Sequence, residues 1–395
     1  MSSTIVTVNR GSSSLKLAAF ELSAIGVLTR ILSADATRIG LSGARLTSVD
    51  HRNNGHREQP LMATSHDTAD EECIKWLEQH VDFSGVAAVG HRIVHGGPRY
   101  REPQWITAEM LAELERISPF DPEHMPFEIG IVKTIGRRFP KLSQVAAFDT
   151  AFHRDMPLVS RMLPIPRRYQ QQGIERYGFH GLSYAYLLEE LTRVDPRAIT
   201  GHVILAHLGA GASMAAVLNG KSIDTSMAFT PTAGLPMATR SGDLDPGLVS
   251  YLAHSEQMTV DQFHQMVNGS SGLLGISDTT GDMQQLLVNA ASDPRAREAI
   301  DCFCYQAKKW IGAYVAALGG LDALVFSGGI GEHAAEVRQQ ICAGLDCLGI
   351  VLDATANAEG RAIISTPASP ATVYVIRTDE QLMIARSCAA LIGAI

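Results

Sequence analysis

At 395 residues the chain exceeds what one ordinary hydrophobic core supports, so two domains are expected. Hydrophobic residues make up 46% of it and charged residues 19%, the balance of a globular protein. The net charge of -8 argues against nonspecific nucleic-acid binding, and the chain opens without the basic, apolar and small-residue succession of a secretory leader, so a cytoplasmic protein with no nucleic-acid or membrane partner is expected.

Taken in order, Thr4 to Val8 and Leu15 to Leu22 are β-rich runs around the turn Asn9-Arg10-Gly11-Ser12-Ser13-Ser14, which predicts a hairpin. Such a turn offers N–H groups and hydroxyls to a phosphate, with Lys16 adding charge, though plain hairpins carry Gly-Ser turns too. G-x-x-x-x-G-K is absent, so it is not a Walker A loop. Residues 35 to 70 read as peripheral strands and loops, and Glu71 to His80 as a short amphipathic helix. Val86 to Val89 predicts a buried strand, followed by Gly90-His91-Arg92-Ile93-Val94-His95-Gly96-Gly97. The four-residue spacing of His91 and His95 suits a metal only on a helix, which the glycines oppose. Arg92 is the better candidate, as an anion ligand. Ala108 to Ile117 and Phe127 to Arg138 read as helices around a Pro-rich break. Val145 to Phe148 predicts a buried strand ending on Asp149, a position that suits a catalytic or metal-binding acid and equally a helix N-cap.

Arg161 to Arg176, with a proline break from Pro157 to Pro166, reads as irregular chain, and Ser183 to Val194 as a helix after Tyr177-Gly178-Phe179-His180-Gly181. Taken alone, His180 is as readily a core histidine. His202 to His207, the turn Gly209-Ala210-Gly211-Ala212 and Ser213 to Leu218 predict a second hairpin. Asp224 to Pro246 is rich in Thr, Ser, Gly and Pro but has apolar anchors at Met227, Phe229, Leu235, Met237 and Leu244, so it predicts a packed loop. Its one cation, Arg240, suits a phosphate or carboxylate, or else neutralises Asp243 or Asp245. Leu248 to His254 and Val260 to Met266 read as helices, Asn268 to Asp282 as a Gly/Ser-rich loop, and Ala296 to Leu318 as the longest helix. The apolar window Gly312 to Gly331 holds Asp322 and six glycines, so it reads as helix end, turn and buried strand and not as a membrane span. Ser327 to Glu332 opens a helix, but Gly329-x-Gly331 lacks the third glycine of a dinucleotide fingerprint. Thr372 to Ile376 is a strand, and Arg377-Thr378-Asp379-Glu380 opens the last helix, Gln381 to Ile392. The six cysteines form no C-x-x-C pair and are expected as buried reduced thiols.

Three features recur in the same order. Hairpins stand at Thr4–Leu22 and His202–Leu218. Strands run into Gly-Gly at 86–97 and 321–329. Strands end in a helix-opening acid at Val145–Asp149 and Thr372–Glu380. The pattern predicts an α/β protein of two similar halves, with a cleft between them as the natural ligand site.

The motifs together resemble the acetate kinase family: VNRGSSSLK (8–16), GHRIVHGG (90–97), AFDTAFH (147–153), RYGFHGLS (176–183), HLGAGAS (207–213), DTSMAFTP and TRSGDLDP of the long loop, SGLLGIS (271–277), FSGGIGE (326–332) and VIRTDEQL (375–382). The resemblance implies two duplicated α/β domains of the sugar kinase, Hsp70 and actin type with an interdomain active-site cleft, 1–150 with 382–395 forming one and 151–381 the other. It implies phosphoryl transfer between ATP and acetate with Mg²⁺ (Mn²⁺ as the alternative ion) in a cytoplasmic homodimer. By position, Asn9 and Glu380 match metal-associated residues, and Ser14 and Lys16 match groups near the phosphates. Arg92 and Arg240 match the arginines that bracket carboxylate and phosphoryl, His180 the histidine that contacts the phosphoryl, and Asp149 the essential acid. Val94, Phe179 and Pro231 match a small pocket for the methyl group, which favours acetate over propionate. The nucleotide segments match His207, Leu208, Gly209, Ala210 and Gly211; Asp282, Met283 and Gln284; and Gly329, Ile330, Gly331, Glu332 and His333.

The departures from the family pattern fall mostly on the nucleotide side. Ala210 stands for Asn, Gln284 for Arg and His333 for Asn, while Tyr184 replaces a His, Arg10 an Ala, and Arg377 and Asp379 a Pro and an Asn. Three readings follow: an acetate kinase with a drifted nucleotide site; a carboxylate kinase using propionate or another donor such as pyrophosphate; or an inactive metabolite-binding regulator, against which the retained Arg92, Asp149, His180, Arg240 and Glu380 argue.

Overall fold

Two sheets, each grown outward from a hairpin, organise the chain. The computed structural model describes residues 3–63 and 65–394. The first sheet comprises β1 (Ser3–Arg10), β2 (Leu15–Leu22), β3 (Leu28–Thr37), β4 (Arg45–Asp50), β5 (Gly55–Pro60), β6 (Val86–Ile93), β7 (Gln104–Trp105) and β8 (Gln144–Phe148), in the order β5-β4-β3-β2-β1-β6-β8-β7. The second comprises β9 (His202–Leu208), β10 (Ala212–Leu218), β11 (Lys221–Thr225), β12 (Ala323–Ser327) and β13 (Thr372–Val375), in the order β11-β10-β9-β12-β13. In each, the first strand pairs antiparallel with its hairpin partner and parallel with the later crossover strands: β1 with β6 then β8, and β9 with β12 then β13. The two halves expected from the repeated punctuation therefore have one topology.

One unit runs to Ala151 and resumes at Asp379; the other is Phe152–Thr378. Ala151, Asp379, Glu380 and Gln381, grouped with the second half in the sequence reading, belong to the first unit. Both faces of the first sheet are covered, as a parallel centre requires. On β1, Val6 and Val8 pack with Ile74 and Trp76 of the helix His66–His80 and Ile131 and Ile135 of the helix Met125–Arg138. Ile5 faces the other way, toward Ala385 and Cys388 of the helix Glu380–Leu391. In the second unit, Leu187 and Leu191 of the helix Gly181–Val194 pack on Val203, Leu205 and Val325.

Several expectations need correction. The helix assigned from Glu71 begins at His66, because Ser65 and Thr68 cap it reciprocally, a Ser-x-x-Thr variant of the usual box. Strand β6 does not stop at Val89 but carries Arg92, being paired on both sides by β1 and β8. Gly90 allows this: a Cβ there would come within 2.5 Å of Ile384 and 2.6 Å of Cys388. Gly272–Ser277, inside the expected Gly/Ser loop, is helical. Cys347 is exposed; Cys73, Cys304, Cys342 and Cys388 are buried, and all six thiols are free. Among the described residues no helix is long and apolar enough to cross a membrane.

Candidate active site

In the first unit the geometry centres on Arg92. Its Nε and Nη2 donate to Asp149 Oδ2 at 3.0 and 2.6 Å, and its Nη1 to Glu128 Oε1 at 2.6 Å. Strand β6 delivers the arginine, the end of β8 delivers Asp149, and the first turn of the helix Met125–Arg138 delivers Glu128. A guanidinium has five N–H donors. These contacts use three and leave one on Nη1 and one on Nη2, donors that suit a carboxylate or phosphoryl. Burial opposes the charge on Arg92, but Asp149 and Glu128 outweigh it and hold the guanidinium pKa above its ordinary value. Burial pushes the Glu128 carboxyl up, and the Arg92 guanidinium and the Val94 N–H pull it back. Its second oxygen accepts the Val94 N–H at 2.8 Å, so one buried side chain fixes both the Arg92 head and the backbone of the predicted acyl-pocket residue. The sequence reading missed Glu128, since an acid in a helix's first turn reads as an ordinary dipole partner.

Asn9, at the end of β1, donates through Nδ2 to Glu380 Oε2 at 2.8 Å and faces Lys16 across the hairpin. Lys16 is exposed and Ser14 half-buried. Glu380 and Asn9 present hard oxygen donors, fewer than a protein-built cage needs but in keeping with Mg²⁺, which keeps water and substrate phosphates in its shell. Among the described residues no cluster of three His, Cys, Asp or Glu could hold a metal. His91 bonds Gln144 Oε1 at 2.7 Å, and His95 Nδ1 accepts the Gly97 N–H at 2.8 Å; burial lowers both to about 4.

In the second unit His180 caps the helix Gly181–Val194 in the left-handed region, with φ 59° and ψ 24°. Such a conformation in a non-glycine residue persists only where the surroundings over-determine it. They do: His180 Nδ1 meets Ser213 Oγ at 2.9 Å, the ring stacks on His207 with centroids 4.3 Å apart, and Ser213 in turn bonds the buried Tyr184 hydroxyl. His207 Nδ1 is held by Ser183 Oγ at 2.8 Å. A methyl group on Gly211 would lie 3.3 Å from His180 Nε2 and 3.8 Å from Arg240 Nη1, so the two predicted residues border one small space.

Arg240 is carried by a packed loop, as expected. Met227, Leu235 and Met237 are fully buried, whereas Leu244, expected as an anchor, is exposed. Arg240 Nη1 donates to the Pro231 carbonyl at 3.2 Å. The acids named as its alternative partners engage backbone N–H groups: Asp243 that of Gly234 at 2.9 Å, and Asp245 that of Gly247 at 2.7 Å. The helix Gly272–Ser277 clamps the loop from behind, with Leu273 N–H on Met237 O and Leu274 N–H on Ala238 O. Phe179 and Pro231 are buried in this unit; Val94, their expected companion, is in the other.

The three predicted nucleotide segments meet. Gly209 and Ala210, Asp282 to Gln284, and Gly329, Ile330 and His333 line one cavity of about 570 Å³, joined by Gly281, Leu287 and Ala334, which were not foreseen. Ala210, Gln284 and His333, the three departures on the nucleotide side, share it. His207, Leu208, Gly211, Gly331 and Glu332 do not line it. Leu208 and Gly331 are buried, and Glu332 Oε1 accepts the Gly328 N–H at 3.0 Å.

Comparison with known proteins agrees over the full length. The family model for the Acetokinase family matches residues 4–386. The acetate kinase of Rhodopseudomonas palustris is 42% identical over 392 residues, covering 98% of each chain. That of Bacillus cereus is 39% identical over 394 residues, covering 97% of this chain and 98% of its own. A propionate kinase from Francisella tularensis subsp. tularensis superposes with a TM-score of 0.90 at 34% identity over 98% of each chain. The acetate kinase of Porphyromonas gingivalis superposes at 0.86 with 34% identity over 99% of this chain and 100% of that one. With the predicted motifs placed on this topology and these matches spanning both units, the chain belongs to the acetokinase family.

Proposed function

We propose that the protein is an acetate kinase, a phosphotransferase that moves the γ-phosphoryl of ATP to acetate, reversibly and by direct in-line transfer, giving acetyl phosphate and ADP. The observation that carries this reading is the full-length likeness to proteins named acetate kinase at about 40% identity. The chemistry suits the residues. A carboxylate is already ionised at neutral pH, so no strong base is needed; aligning two anions and spreading the charge of a loose transition state remain. Arg92, through its two remaining N–H donors, binds the carboxylate or the transferring phosphoryl. Asp149, which grips the Nε edge of Arg92, aligns it and is not required as a general base. Arg240 and His180 Nε2 donate to the phosphoryl. Asn9 and Glu380 are the groups that would hold Mg²⁺, which when bound neutralises phosphate charge; Ser14 and Lys16 lie toward the phosphates.

By their match to the family's methyl pocket, Val94, Phe179 and Pro231 are the residues we assign to the acyl group, and acetate is preferred over propionate by the ~1–3 kcal/mol that one methylene is worth. The cavity of about 570 Å³, walled by Met283, Leu287 and Ile330, favours a nucleoside over pyrophosphate as the donor's handle. A homodimer is supported by the helix Gly247–Ser255, which buries none of its residues despite Leu248, Val249, Tyr251 and Leu252. A cytoplasmic location goes with this reading.

The test is hydroxamate trapping with acetate and Mg²⁺, run in parallel with ATP, GTP and pyrophosphate, then with propionate. Acetyl phosphate from ATP is expected. Turnover from pyrophosphate alone moves the protein to another donor class, and silence with every donor and acid leaves the regulatory reading.

A further inference from the structure

Arg10 is the departure that the proposed chemistry leaves over. It ends β1, yet its side chain is almost fully buried, at 1% exposure. Its Nη1 donates to the carbonyls of Gly11 and, at 3.1 Å, Ser14, and reaches that of Ser12 at 3.4 Å. Its Nη2 meets His66 Nδ1 at 3.1 Å, and its Nε lies 2.8 Å from Asp70 Oδ1. Both partners stand one turn apart on the helix His66–His80, and the guanidinium lies over the Phe127 ring, 5.3 Å from its centroid. The cation therefore sits inside the turn and ties it to two helices.

Peptide geometry gives this arrangement a direction. In a trans peptide the C=O and the next N–H point opposite ways. With the Gly11 and Ser12 carbonyls turned toward Arg10, the N–H groups of Ser12 and Ser13 point away from it. Neither donates to another described residue. Outward N–H groups in a turn of this kind are what an anion needs.

We propose that Arg10 is a positioning residue for phosphoryl transfer: by drawing the carbonyls of the Gly11–Ser14 turn inward it presents the Ser12 and Ser13 N–H groups to a phosphate of the substrate. The inference rests on the kinase reading and on Ser14 and Lys16 facing phosphates. It differs from a plain core role, which an apolar side chain of similar volume fills equally well.

The test uses the full chain with Arg10→Lys, which keeps the charge beside Asp70 but not the fork, and Arg10→Ala/Asp70→Ala, which removes the pair together so that no buried carboxylate is stranded. For both variants, kcat/KM for MgATP is expected to fall about tenfold or more, the size of losing hydrogen bonds to a charged group. The acetate KM is expected to stay within about twofold, because the Arg92 cluster is untouched, and the folded fraction by circular dichroism to be that of the parent. Unchanged MgATP kinetics in both folded variants overturns the proposal, as does an equal loss for both substrates. If the parent chain itself makes no acetyl phosphate, the kinase reading fails separately, and calorimetric titration with tripolyphosphate decides for Arg10. Binding about tenfold weaker in Arg10→Lys upholds the positioning role, and equal binding overturns it.

Discussion

Arg92 in the first unit is held by two carboxylates, whereas His180 in the second is held by a serine hydroxyl and a stacked imidazole. The contrast extends to their neighbours. Arg10 lies against Asp70, and Asn9 on Glu380. Around His180 and Arg240 the supports are Ser213, Ser183 and the peptide groups of a clamped loop. The first arrangement is expensive to break in one place, because a buried charge that loses its partner costs about 3–5 kcal/mol. The second yields more gently, since a neutral hydrogen bond contributes about 1 kcal/mol, and its loss shows in orientation more than in folding.

Arg92→Ala breaks the contrast at its strongest point. It is expected to lower kcat by ~10²–10³, as removal of a charge-stabilising donor does, and to destabilise the fold by about 3–5 kcal/mol as Asp149 and Glu128 lose their cation. Hydroxamate turnover and thermal melting read the two effects, and near-normal turnover would remove Arg92 from the reaction. Gly272→Ala probes the neutral scaffold. A Cβ there would lie 2.1 Å from Met237 O and 2.4 Å from Arg240 O at a φ of +59°. A loss of about 1–3 kcal/mol is expected, with turnover falling as the Arg240 loop shifts. Unaltered stability would mean that the helix does not clamp the loop.

Ser213→Ala is gentler, at about 1 kcal/mol in stability. It should change the ¹⁵N shifts of the His180 ring, because Nδ1 loses its partner, and lower kcat with the nucleotide KM little changed. An unmoved His180 spectrum would show that Ser213 does not set the ring. The smallest effect is in mild acid. Burial lowers His91, His95 and His153 to about 4, below the ordinary 6.5 of an exposed histidine. Between those values the unfolded chain binds more protons, so this stability is present above pH ~6.5 and is lost as pH falls toward 4. From pH 7 to 6 the loss is under about 1 kcal/mol per histidine, readable as a falling denaturant midpoint, and replacing His91 with Gln should reduce the slope.

Much of this was legible in the chain because turns punctuate it. The Gly/Ser turns at 11–14 and 209–211 announce both hairpins, and the apolar runs into Arg92 and Asp149 place those residues at one sheet's edge of chemistry. Periodicity could not show what helices and strands point at. Glu128 carries no signal distinguishing it from a helix-opening acid, and Ser213 is one small residue among several in β10. The helix Gly272–Ser277 stays hidden among glycines because its stability comes from tertiary hydrogen bonds to the Arg240 loop and not from propensity. The start of the helix at His66 was obscured for a similar reason, its cap using Thr68 where Glu or Gln is usual.

The helix Glu380–Leu391 packs on β1, β2, β6 and β8, and Gly90 is shaped to receive it. Its place in the chain sets an order of assembly on the ribosome. Domains tend to fold as they emerge, N-terminal ones first. Here the unit begun first waits, with one face of its sheet uncovered and Asn9 lacking Glu380, until the whole of Phe152–Thr378 has been made. The nascent chain therefore carries an apolar surface through most of its synthesis, a natural target for chaperones, and an interrupted translation product forfeits the Asn9–Glu380 pair along with the last helix.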